Sequence, residues 1–128
     1  MNSELSLSYF LSSELIFKIN CPTHRMDTEK RSMQKLMKSD DFLSQYNLAI
    51  RYVFLTFLER GYDVRPNKVH LCFREYCIQV LELEKEKVLN IVKARHERKY
   101  FGNRATECVE CDLSRIIELL RGQVTINV

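Results

Sequence analysis

SDDFLSQYNLAIRYVFLTFLERG, residues 39–61, is the stretch on which the fold turns. Ser39 offers a helix cap, and Asp40 and Asp41 suit the positive end of a helix dipole. Phe42, Tyr46, Ile50, Val53 and Phe57 recur at three- and four-residue spacing, joined by Leu43, Phe54 and Leu58. The apolar arc is too wide for a helix with one wet face, which predicts a central position in a helical protein. Gly61 stands where a C-terminal cap belongs.

The rest of the chain agrees with a helical class. It has 128 residues, 45% of them apolar and 29% charged, the balance of one ordinary globular domain. Three glycines and two prolines are too few for strands and turns, which need a turn signal roughly every 8–12 residues. The net charge of +3 is mild for a dedicated nucleic-acid binder. No apolar run approaches the roughly 18–20 residues of a membrane span. The start, MNSELSLSYFLSSELIF, carries Glu4 and Glu14 and no basic residue, which argues against an export signal. Five cysteines, an odd number, then read as reduced thiols in a cytoplasm.

Outward from the central helix, residues 3–19 hold Leu5, Leu7, Phe10, Leu11, Leu15 and Ile16 and suggest one helix, ended at Cys21-Pro22-Thr23. Asp27 or Thr28 can cap a short helix running to Lys38. After Gly61, the loop GYDVRP leads to Pro66, suited to a first helical position. Val69, Phe73, Tyr76 and Val80 line one face of the helix that follows. LELEKEKV is a solvated corner, and the next helix runs from about Glu84 to Phe101, stopped at Gly102-Asn103. Thr106 caps the last helix, with Val109, Leu113, Ile116 and Leu120 at helical spacing and Gly122 at its end. The expected fold is all-α, an antiparallel up-and-down helical bundle of four to five helices with an extra N-terminal helix. Its parts are an extension at 1–25, a bundle at 26–122 and a tail at 123–128.

One helix breaks its own pattern. In KARHERKYFG, residues 93–102, four bases and a histidine follow a turn that buries valines. At about 100° per residue, with Val88, Leu89 and Val92 taken as the inward side, Arg95 falls about 60° from Val92. Lys99 lies between Val88 and Val92, His96 near Leu89, and Tyr100 one turn beyond His96. Either the helix end emerges into water, where bases suit its dipole, or these groups pair with acids, line a cleft or meet a partner. Buried without partners they would cost several kcal/mol each.

Residues 39–121 resemble the HEPN superfamily, the higher eukaryotes and prokaryotes nucleotide-binding domain. The likeness rests on a long aromatic-rich helix, then Gly61, Tyr62, Arg65, Pro66 and His70, then Phe73. A late Arg95-His96-x3-Tyr100-x-Gly102 segment follows. The family's mark is an Arg, often followed by Asn, His or Asp, with a His four to six residues on. Here Tyr100 stands at that place, as is usual in one branch. The resemblance implies a small helical bundle that dimerises, and a prokaryotic toxin–antitoxin or defence setting. It also implies a nucleotidyltransferase partner protein, and no cofactor or metal.

In family members that cleave RNA, the resemblance implies metal-independent chemistry with two motifs facing across a dimer. Arg95 would hold the charge growing on the phosphate, since a guanidinium stays charged and meets two oxygens at once. His96 or Tyr100 would move the proton. A phenol with an ordinary pKa of about 10 is a poor base at neutral pH, and His96 points about 100° away from Arg95. The candidate catalytic set is therefore Arg95, His96 and Tyr100, and the candidate nucleotide- or RNA-binding set is Arg95, Arg98, Lys99 and Arg104. A non-cleaving nucleic-acid or nucleotide-associated protein is the leading expectation. A ribonuclease and a structural dimeric interaction module are the alternatives.

Two other features have ordinary readings. Arg65 and His70 repeat the family spacing in letters, but Pro66 starts a helix between them. His70 is then a packing or hydrogen-bonding residue, and His24 carries no case. Cys108 and Cys111 form a CxxC, yet a structural zinc site needs four ligands. Cys72 and Cys77 are poorly placed to supply the rest, at about 140° apart on their helix.

Overall fold

The computed structural model describes the backbone of residues 6–101 and 107–125 and the side chains of 6–97 and 109–125. Six α-helices follow one another within them: α1 (Leu7–Ser12), α2 (Thr23–Leu36), α3 (Phe42–Leu58), α4 (Val69–Gln79), α5 (Lys85–Phe101) and α6 (Glu107–Arg121). Two short strands, β1 (Ile16–Lys18) and β2 (Tyr62–Val64), and a 3-10 turn at Pro66–Lys68 complete the described elements. The protein is an all-α helical bundle with one small sheet at its side.

The wide apolar arc of α3 has the consequence expected of it. α2, α4, α5 and α6 all pack against this helix. Tyr46, Leu55, Phe57 and Leu58 are fully buried, each large apolar side chain contributing about 1.5–3 kcal/mol. The buried Thr56 hydroxyl donates to the Val53 carbonyl at 2.7 Å, so it is not left unsatisfied. Asp41, rather than Ser39, caps the helix, its carboxylate accepting from the Ser44 N–H at 3.2 Å. The Ser39 hydroxyl bonds to that carboxylate in turn. These bonds, Ser39's first, pull the Asp41 pKa down to about 2. Gly61 follows at φ +89°, which only a residue without a Cβ takes at no cost.

The N-terminal stretch departs from a single helix over 3–19. α1 ends at Ser12, and the chain turns through Glu14 at φ +57° into β1. β1 runs antiparallel to β2, with Ile16 opposite Val64, Phe17 opposite Asp63 and Lys18 opposite Tyr62. Phe10, Leu15 and Ile16 join the same core as α3. Leu11 is exposed and Leu5 lies outside the described residues, so a count of apolar residues in this stretch does not fix its period. This sheet ties the segment after Gly61 in place and so sets where α4 begins.

On α5 the buried side is Val88, Ile91 and Ala94, while Leu89 is 39% exposed. Arg95 lies four residues beyond Ile91, within about 40° of it around the helix. The corner at 84–87 is exposed, as its charges require. On α6, Leu113, Ile116, Ile117 and Leu120 are buried. The helix stop at Gly102-Asn103 and the Thr106 cap lie outside the described residues.

Candidate anion cleft

One stripe of α3 makes the floor of a cleft of about 560 Å³: Asn47, Ile50, Arg51 and Phe54, spaced three and four apart. Phe17 of β1 with Asp63 and Val64 of β2 line it from the sheet. Pro66 and Asn67 line it from the 3-10 turn, followed by Val69, His70 and Leu71 of α4. Arg25 reaches it from α2 and Arg95 from α5. The volume falls within the roughly 300–1,000 Å³ of small-molecule sites.

The cleft's acids and bases are unevenly matched. Glu29 is 1% exposed and is clamped by Arg25 and by Arg51, whose Nη1 lies 3.1 Å from each carboxylate oxygen. Arg25 also donates from Nε to Asp63 Oδ2 at 3.1 Å. Burial lowers the Arg25 pKa, but the Glu29 and Asp63 carboxylates outweigh it and leave the guanidinium more basic than usual. Both guanidinium groups stand 5.5 Å from the Phe54 ring centroid, a cation–π arrangement. Among the described residues no carboxylate pairs with Arg95, which is half-buried.

Beside Arg95 lies a polar pair. The Tyr46 hydroxyl and His70 Nδ1 are 3.1 Å apart. The phenol donates to Nδ1 in one imidazole tautomer and accepts from Nδ1–H in the other. Burial raises the Tyr46 pKa well above the ordinary phenol range, against the opposing pull of the Arg95 charge. The phenol therefore stays protonated at neutral pH. It can hold the imidazole in place, though it cannot serve as a base.

The residues singled out in the sequence separate as follows. Arg95 faces the cleft. His96 is exposed and lies over a second hollow of about 480 Å³ with Leu89, Val92 and Lys93. His70 and Leu71 line both hollows. The side chains of Arg98, Lys99 and Tyr100, and the whole of Arg104, lie outside the described residues. His70 reaches the Arg95 cleft, a meeting that spacing along one helix cannot reveal. Its sequence signal was the Arg-Pro-x3-His run, in which Pro66 starts the turn that presents it. Arg65 itself lies over the Phe17 ring, 5.6 Å from its centroid.

The cysteines hold no site among the described residues. Cys72 and Cys77 are buried, whereas Cys21 and Cys111 are exposed; the Cys108 side chain lies outside the description. No cluster of three His, Cys, Asp or Glu among the described residues is arranged to hold a metal ion. No described helix is long and apolar enough to cross a membrane. Comparison with family models, curated proteins and solved structures finds no match.

Proposed function

We propose that this chain is a HEPN-like protein that binds a phosphate-bearing ligand, RNA or a nucleotide, in the cleft lined by Arg95. The observation that carries the reading is a half-buried guanidinium with no carboxylate partner among the described residues, facing a volume of ligand size. A charge so placed is costly in an empty site and favourable against an anion. The resemblance of residues 39–121 supports the nucleic-acid class of ligand. A homodimer, a nucleotidyltransferase partner and a toxin–antitoxin or defence setting come with that resemblance and belong to the same proposal. Binding of RNA or a nucleotide that weakens with salt, and is lost in Arg95→Gln, is the expected result. Equal binding by wild type and variant would refute it.

A second reading, metal-independent RNA cleavage, is favoured by one feature: His70 shares the cleft with Arg95. An imidazole titrating near neutrality can take a proton from a 2′-hydroxyl while a guanidinium holds the phosphate. Cleavage in the presence of a chelator, lost in both His70→Ala and Arg95→Gln, selects this reading. Binding without cleavage rejects it.

A further inference from the structure

The charges around the Arg95 cleft also bear on how many phosphates it takes. Among the described residues, three guanidinium groups at the cleft, Arg25, Arg51 and Arg95, are set against Asp63 on its wall and Glu29 buried behind it, which leaves one positive charge. That charge belongs to Arg95, because Glu29 pairs with both Arg25 and Arg51 and Asp63 pairs with Arg25. The Arg25–Glu29–Arg51–Asp63 group is thus neutral as a whole, polar, and stacked on Phe54. Next to it Asn47 and Asn67 line the cleft from its exposed side. Each amide offers donors and an acceptor, the complement of an uncharged polar edge.

We propose that the occupant is a nucleoside monophosphate, its phosphate on Arg95 and its uncharged base and sugar in the part lined by Asn47, Asn67, Arg51 and Phe54. The inference rests on the phosphate-binding reading above and narrows it. One phosphate brings a charge of about −1.5 to −2 at neutral pH, which Arg95 offsets in large part. A triphosphate brings roughly two further charges. Each lies near Asp63 with no further unpaired cation among the described residues of the cleft to offset it, and like charges at short range repel. Protonation of His70 would add a single positive charge, too few to reverse the preference. An RNA strand binds through a row of uncompensated cations, and the described cleft has one.

Calorimetric titration tests this with the four nucleoside 5′-monophosphates, their triphosphates, the nucleosides, orthophosphate and a short RNA. The proteins are wild type, Arg95→Gln and Asn47→Ala, each checked for native circular dichroism. At least one monophosphate is expected to bind more than tenfold tighter than its triphosphate, its nucleoside, orthophosphate and the RNA. Arg95→Gln abolishes that binding. Asn47→Ala weakens it roughly three- to tenfold, the worth of one neutral hydrogen bond, and changes orthophosphate binding less than twofold. Tighter Arg95-dependent binding of a triphosphate or RNA overturns the one-phosphate inference while leaving the cleft a phosphate site. Orthophosphate binding as tightly as every monophosphate overturns the second subsite. If no phosphate ligand binds in an Arg95-dependent way, the reading beneath the inference falls with it.

Discussion

The Tyr46 hydroxyl meets His70 Nδ1 at 3.1 Å and ties the second turn of α3 to the first turn of α4. Tyr46 is fully buried, so its oxygen depends on this contact. Tyr46→Phe keeps the ring and its packing on Phe73, 5.2 Å away between centroids, and deletes only the hydroxyl. The expected loss is about 1 kcal/mol, read as a lower urea midpoint with an unchanged slope. An unaltered midpoint would show that the contact adds nothing to stability.

Glu29 links stability to the charge of the cleft. Glu29→Gln leaves Arg25 and Arg51 without their shared carboxylate, and both are about one-third exposed. Solvent softens the cost, so about 1–3 kcal/mol is expected in place of the 3–5 of a fully buried pair. The same change raises the positive charge near the cleft by one, and phosphate ligands should bind more tightly. Lower stability together with tighter binding is the expected pair of results; weaker binding would place the ligand elsewhere.

Asp41 gives the protein an acid-sensitive helix start. Its pKa lies at about 2 in the folded protein against 3.8 ordinarily. A lowered pKa adds stability above the unfolded value, and that stability is lost as pH falls from about 4 towards 2. Asp41→Ala should cost about 1 kcal/mol at pH 7, the usual worth of a cap. The gap between the two proteins should narrow in urea titrations at pH 3. A gap that is the same at both pH values would contradict the assignment.

The thiols divide by burial. Burial pushes the Cys72 thiol up to about 12 and the Cys77 thiol higher still, and a thiol rather than a thiolate is a poor nucleophile. Iodoacetamide at pH 8, followed by mass spectrometry, should label Cys21 and Cys111 in the native protein. Cys72 and Cys77 should react only after unfolding. Labelling of Cys77 in the native state would mean that the α4 core opens locally.

Periodicity made much of this fold legible. Residues 42–58, 88–94 and 109–120 repeat apolar side chains at a spacing that only a helix satisfies, and Gly61 marks an end. β1 left no comparable mark. Three residues are too few to show alternation, their partner lies beyond α2 and α3, and the turn before them depends on Glu14 and not on a glycine. The site was legible to the same extent. Arg95 stood out because it sits on the apolar side of its own helix. Leu89 misled, since α5 turns its inward side to Val88 and Ile91 and leaves Leu89 in water. His70, Arg51 and Asn47 come to Arg95 from other helices, and no spacing rule relates residues across a tertiary contact.

The most direct measurement is a nucleotide titration followed by nitrogen–proton NMR, observing backbone amides and the Nε–Hε group of Arg95. Saturable shifts are expected at the Arg95 side chain and at the amides of Asn47, Asn67 and His70. Saturable shifts confined to another face of the bundle, with Arg95 unmoved, would contradict this expectation.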